Sequence, residues 1–96
     1  MILSKLAFVI AVKNGAETIA ACLDSIAPAL AEGAQLYVYD SLSTDETRSI
    51  VESRFPKARY ACKEDAGLYY AWNHAIAEVA EPYLIFINCD DTLHSI

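Results

Sequence analysis

Apolar runs and helical stripes alternate along this chain. Leu6-Ala7-Phe8-Val9-Ile10-Ala11-Val12 is a continuous apolar run, the pattern of a central strand in a parallel sheet. Asn14 follows with Glu17 at capping-box distance, which predicts the start of a helix at that point. Ile19, Cys22, Leu23, Ile26 and Leu30 then recur on one helical face. Pro28 is expected to bend that helix or end it early. Glu32-Gly33 reads as a turn and Leu36-Tyr37-Val38-Tyr39 as a second strand.

Ser43-Thr44-Asp45-Glu46 has the form of a capping box, with acids that complement the positive end of a second helix. In that helix Thr47, Ile50, Val51 and Phe55 are placed to face the sheet before Pro56 stops it. Ala58–Ala61 is a weak third strand, expected at an edge. Beyond the loop Lys63-Glu64-Asp65-Ala66-Gly67, the residues Leu68, Trp72, Ala75, Ile76 and Val79 define a third amphipathic helix. Glu81-Pro82 closes it. Tyr83-Leu84-Ile85-Phe86-Ile87 is a fourth strand, expected to be buried on both faces, and it runs into Asn88, Asp90 and Asp91. The fold class is therefore α/β: a three-layer, mostly parallel sheet in the order β-α-β-α-β-α-β, joined by right-handed crossovers.

Composition narrows the chemistry. A formal charge of −6 argues against nucleic acid or an anionic membrane as partner, because both demand basic surface. Cys22, Cys62 and Cys89 are odd in number and lack C-x-x-C spacing, so neither a disulfide framework nor a zinc site is indicated. A reduced cytoplasm is the expected location, at most peripheral at the inner membrane face. With only three glycines, Gly15, Gly33 and Gly67, the chain contains neither G-x-G-x-x-G nor a P-loop.

Three polar clusters follow apolar strands: Lys13-Asn14, Asp40-Ser41 and Asn88 to Asp91. Parallel pairing brings such ends to one rim, where open α/β sheets bind ligands. Adjacent carboxylates repel, and either face solvent, accept hydrogen bonds or hold a hard divalent cation. The plainer account is polar loops that merely end strands. His74 is expected to be structural or at the surface and His94 to lie in a fraying terminus, and Cys89 has no neighbouring positive charge to activate it.

Asp40-Ser41-Leu42-Ser43-Thr44-Asp45-Glu46-Thr47, then Glu64-Asp65-Ala66-Gly67-Leu68-Tyr69-Tyr70-Ala71-Trp72-Asn73, then Phe86-Ile87-Asn88-Cys89-Asp90-Asp91 resemble the motifs of the family 2 glycosyltransferases. These are inverting enzymes of the GT-A fold, with a Rossmann-like nucleotide-binding half, that use nucleotide-diphosphate sugars. The resemblance covers essentially the whole chain. It implies that Asp40 accepts the N–H of a uracil-like base and that the segment of Ala11, Lys13 and Asn14 lies against the nucleoside. Asp65 and Asn73 would stand on the donor side, with Asn88 and Asp90 near the sugar. Asp90 and Asp91 would hold Mg²⁺ or Mn²⁺ against the diphosphate, which answers the shortage of basic residues.

Departures from the family pattern are also visible. Ala11-Val12-Lys13-Asn14 replaces a Pro and an aromatic before the Asn, Leu42 and Glu46 stand where Gly is usual, Asn88 takes the first acid position of D-x-D, and Pro82 replaces a Gly-acid turn. The family's catalytic base and acceptor-binding half follow the metal motif. The expectation is therefore a donor-binding half for transfer from a UDP-sugar to a saccharide or other hydroxyl acceptor, inactive by itself. Self-association through the open sheet edge is also expected. The rival reading is a non-catalytic fragment that binds nucleotide or self-associates without turnover; a nucleotidyltransferase would want a Gly-rich basic loop after the first strand, which Lys13-Asn14-Gly15 barely supplies.

Overall fold

A computed structural model describes residues 5–62 and 81–88. Four parallel strands, β1 (Leu6–Val12), β2 (Gln35–Asp40), β3 (Arg59–Cys62) and β4 (Tyr83–Asn88), form one sheet in the order β3-β2-β1-β4. Two helices, α1 (Ile19–Ala31) and α2 (Thr47–Arg54), connect the first three strands. The predicted third helix lies outside the described residues. Among the described residues, no helix is long and apolar enough to cross a membrane.

The centre of the sheet is β1, paired on both sides, and Ala7, Phe8, Val9 and Ile10 have no exposed surface. Its alternate residues divide two cores. Phe8, Ile10 and Val12 join Leu36, Val38 and Ile87 under α1 and α2, while Ala7 and Val9 pack with Tyr37 and Tyr39 on the opposite face. The expectation that β4 is buried on both faces is not met: Tyr83 is 54% exposed, Leu84, Ile85 and Phe86 are half-buried, and only Ile87 is buried. The cause is position. β4 borders β1 on one side and no described strand on the other.

The stripe predicted on α1 is present, with Ile19, Cys22, Leu23 and Ile26 fully buried; Leu30 packs at the margin, and Ala29 takes the deeper place. Pro28 does not end the helix, which continues to Ala31. It falls in the last turn, and the carbonyl it leaves unbonded belongs to Asp24, on the exposed face. Termination comes from Gly33, whose φ of 113° lets Gly33 N–H donate to Leu30 O (3.2 Å) and Ala34 N–H donate to Ala29 O (3.1 Å). Those two bonds form a Schellman motif. On α2, Thr47 and Val51 are fully buried, with Ile50 and Phe55 packed against the same core.

A hollow of about 370 Å³ opens at the amino ends of β2 and β3, lined by Leu30, Gln35, Arg54, Phe55 and Lys57 among others. Among the described residues no carboxylate lines it, and Arg54 is engaged with Asp24. It lies at the opposite end of the strands from the polar clusters.

Candidate functional site

Register places the strand ends together. Ala11 pairs with Tyr39 on one side and Asn88 on the other, Val12 pairs with Asp40, and Asp40 pairs with Cys62. The carboxyl ends of all four strands therefore share one rim, and the segments after β1 and β2 stand side by side on it. Asp65, Asn73, Asp90 and Asp91 lie outside the described residues. Among the described residues, no three His, Cys, Asp or Glu side chains gather as a metal site.

The two segments at the rim are joined by side chains rather than by strand pairing. Asn14 N–H donates to Ser43 Oγ (2.8 Å), Gly15 N–H to Thr47 Oγ1 (3.0 Å) and Ala16 N–H to Asp45 Oδ2 (3.1 Å). In return, Thr44 N–H donates to Asn14 Oδ1 (2.7 Å). Asn14 adopts φ 53°, a left-handed conformation that asparagine tolerates better than most residues. Lys13 beside it is exposed and Ala11 half-buried.

Neither predicted capping box forms. Asn14 serves the neighbouring loop instead of capping α1, and that helix starts from Gly15 O, which accepts from Thr18 N–H (3.0 Å) and Ile19 N–H (2.8 Å). Ser43 turns away from α2 toward Asp40. Asp45 takes the entrance of α2, where its Oδ1 accepts from Thr47 N–H (3.0 Å) and from the Thr47 hydroxyl. That hydroxyl above all holds the Asp45 carboxyl below its ordinary value; desolvation opposes it less strongly, and the backbone N–H groups of Thr47, Ala16 and Asp45 add to the lowering.

Asp40 is the buried acid of the rim, 4% exposed. Its Oδ1 accepts from Ser43 N–H (2.8 Å) and Ser43 Oγ–H (2.6 Å), and its Oδ2 accepts from the Tyr60 hydroxyl. Tyr60 reaches Asp40 because it pairs with Val38, so both side chains project from the same sheet face. Burial, reinforced by the bond to Asp40, pushes the Tyr60 hydroxyl well above its ordinary value. It stays a neutral donor. The Arg48 guanidinium sits 4.9 Å from the centre of the Tyr60 ring. Sequence reasoning missed Tyr60; the available signal was a phenol in a short edge strand, which needs a polar partner once half-buried.

Leu42 bends this turn, with φ 59° and 47% exposure. The left-handed conformation lets Ser43 N–H fold back onto Asp40, and leucine holds it where the family resemblance expects glycine. A left-handed non-glycine residue costs roughly 1–2 kcal/mol. Leu42→Gly is therefore expected to raise stability by up to about 1 kcal/mol after glycine's own entropic cost, read as a higher midpoint in thermal melts. A lower midpoint would mean that the Leu42 side chain contributes more by contact than its backbone loses.

The family model described as "Glycosyl transferase family 2" matches residues 7–95. The chain belongs to glycosyl transferase family 2. A teichoic acid poly(glycerol phosphate) polymerase of Staphylococcus epidermidis is 29% identical over 98 residues, which is 97% of this chain and 14% of that protein. A PGL/p-HBAD biosynthesis glycosyltransferase of Mycobacterium bovis is 33% identical over 85 residues, 84% of this chain and 33% of that protein. Family membership thus rests on a chain that spans a third or less of these relatives.

Solved structures agree on the fold. A mannosyltransferase from Pyrobaculum calidifontis, solved with GDP-Man and Mn²⁺, superposes at TM-score 0.78 with 22% identity, covering 95% of this chain and 29% of that one. Glucosyl-3-phosphoglycerate synthase from Mycobacterium tuberculosis, solved with UDP, gives TM-score 0.76 at 26% identity, covering 90% and 34%. The family 2 chain is α/β with an all-parallel four-stranded sheet of the GT-A type, as the strand pattern and the resemblance implied.

Proposed function

We propose that this chain carries the nucleotide-sugar-binding half of an inverting, metal-dependent glycosyltransferase, with a UDP-sugar as donor and a hydroxyl group as acceptor. The observation that carries the reading is Asp40: a nearly buried carboxylate at the carboxyl end of β2, beside β1, fixed by donors from the turn after β2 and from strand β3. An ionised carboxylate accepts and does not donate, which suits the N–H edge of a base. The backbone of Ala11 and Lys13 lies on the same rim and forms the wall against the nucleoside. Asn14 stands on the nucleotide side in this reading and also holds that wall to the Ser43-Thr44 segment.

Asp65 and Asn73 complete the donor side in this reading, and Asn88 and Asp90 face the sugar. Asp90 and Asp91 supply hard oxygen donors of the kind that Mg²⁺ or Mn²⁺ takes. Bound there, the cation would offset charge on the leaving diphosphate. A mannosyltransferase and a glucosyl-3-phosphoglycerate synthase of the same fold have each been solved with Mn²⁺, which supports a divalent cation.

Calorimetric titration of UDP into the chain, with Mn²⁺ and then with excess chelator, tests the proposal. Binding is expected to need the cation, and Asp91→Ala to remove that dependence. Equal affinity in chelator would contradict it.

A further inference from the structure

The fold does not decide which base the rim accepts, since proteins of this architecture have been solved with both GDP-Man and UDP. The hydrogen bonds around Asp40 do bear on it. A carboxylate has about four acceptor positions, two on each oxygen. Described residues fill three of them: Ser43 N–H and Ser43 Oγ–H occupy Oδ1, and the Tyr60 hydroxyl occupies one position on Oδ2. The directions of these bonds are determined. Ser43 Oγ accepts from Asn14 N–H, so its own proton is available for Asp40. Tyr60 has the same obligation, because an ionised carboxylate has no proton to return.

Among the described residues, Oδ1 is therefore closed, and Oδ2 has one position open. Uracil offers one imide N–H between two carbonyls, and a single open acceptor satisfies it. Guanine offers two adjacent donors, its ring N–H and its exocyclic amine, and pairs best with both oxygens of a carboxylate. Adenine and cytosine turn a ring acceptor toward the acid at the corresponding place and are repelled.

We propose that Ser43 and Tyr60 are positioning residues that leave Asp40 a single open acceptor, and that this selects a uracil-type base over guanine. The inference rests on the reading of Asp40 as the base-binding acid. Ser43 carries the selectivity, because its hydroxyl closes Oδ1. Tyr60 carries the orientation, because it pins Oδ2.

Affinities for UDP and GDP, measured by calorimetry with Mg²⁺, test this in the parent chain and three variants. The parent should prefer UDP by tenfold or more. Ser43→Ala frees a position on Oδ1 beside the one already open on Oδ2, so the UDP-to-GDP preference should fall about tenfold, the worth of one hydrogen bond to a charged group. Tyr60→Phe leaves Oδ1 closed; it should weaken UDP several-fold while keeping the preference within about threefold of the parent's. The preference is a ratio within one preparation, so a partly unfolded variant does not distort it. A parent that binds GDP as tightly as UDP overturns the inference, as does a Ser43→Ala chain that weakens both nucleotides equally. Asp40→Asn separates the two failures. If it leaves UDP binding intact, the underlying reading fails and takes the inference with it; if it weakens UDP while Ser43→Ala leaves the ratio unchanged, the inference alone fails.

Discussion

Asp40→Ala is expected to destabilise the chain by about 3 kcal/mol and to remove measurable UDP binding. The substitution strips the shared acceptor from three donors, Ser43 N–H, Ser43 Oγ–H and the Tyr60 hydroxyl. Hydrogen bonds to a charged group contribute roughly 1.5–3 kcal/mol each. They share one carboxylate and do not add, and the half-exposed Ser43 turn regains water, so the total stays near the upper end for one bond. In a domain of this size that corresponds to a melting midpoint lower by about 15 °C. Asp40→Asn is the informative companion. Its amide keeps an oxygen for Ser43, and the Tyr60 hydroxyl can turn to accept from the new amine, so stability should fall by only about 1 kcal/mol. UDP affinity should still drop tenfold or more, because the open position now presents a donor to a donor. Thermal melts and calorimetry on the two variants separate the structural part of Asp40 from the binding part. Equal losses of binding and stability in both would assign Asp40 to the fold alone.

The second large effect is expected at Thr47, which is fully buried at the start of α2. Its Oγ1 accepts from Gly15 N–H and donates to Asp45, joining the segment after β1 to the helix after β2. Thr47→Val preserves shape and the buried methyl group and removes only the hydroxyl. The buried Gly15 N–H then has no acceptor, at a cost of roughly 1–3 kcal/mol. A fall of about 2 kcal/mol, or about 10 °C in the melting midpoint, is expected. Thr47→Ser keeps the hydroxyl and loses the methyl group, and should fall by about half as much. If the serine variant is the less stable of the two, packing rather than the hydrogen bond holds this junction.

Where side chains alternate or run apolar without interruption, the sequence announced the structure. β1 was read with its observed boundaries, and the α1 stripe and the Glu32-Gly33 turn were legible because each depends on neighbours within a turn or two. The Asp40 position was legible for the same reason: a carboxylate directly after an apolar run has one place to go in a parallel sheet. The loops were not legible. Asn14 and Ser43 are good capping residues by local rules, yet each bonds across to the other segment, 29 or 30 residues away in sequence. Capping signals are local and carry no information about a bond of that span. Tyr60 was hidden more deeply, since its link to Asp40 exists only once β3 is set in register beside β2. Leu42 shows a further limit. Leucine gives no sign of a left-handed backbone, and the turn that requires it is set by Asp40 and Ser43.

The central claim is that nucleotide binds at the carboxyl rim of the sheet. Backbone amide shifts in a nitrogen-15 correlation spectrum, followed as UDP is added in Mg²⁺, test it most directly. The account predicts the largest changes in the segments 11–16 and 40–47, together with Tyr60, and little change at Leu30, Gln35, Phe55 and Lys57 around the opposite hollow. Changes concentrated at that hollow, with the rim unmoved, would contradict it.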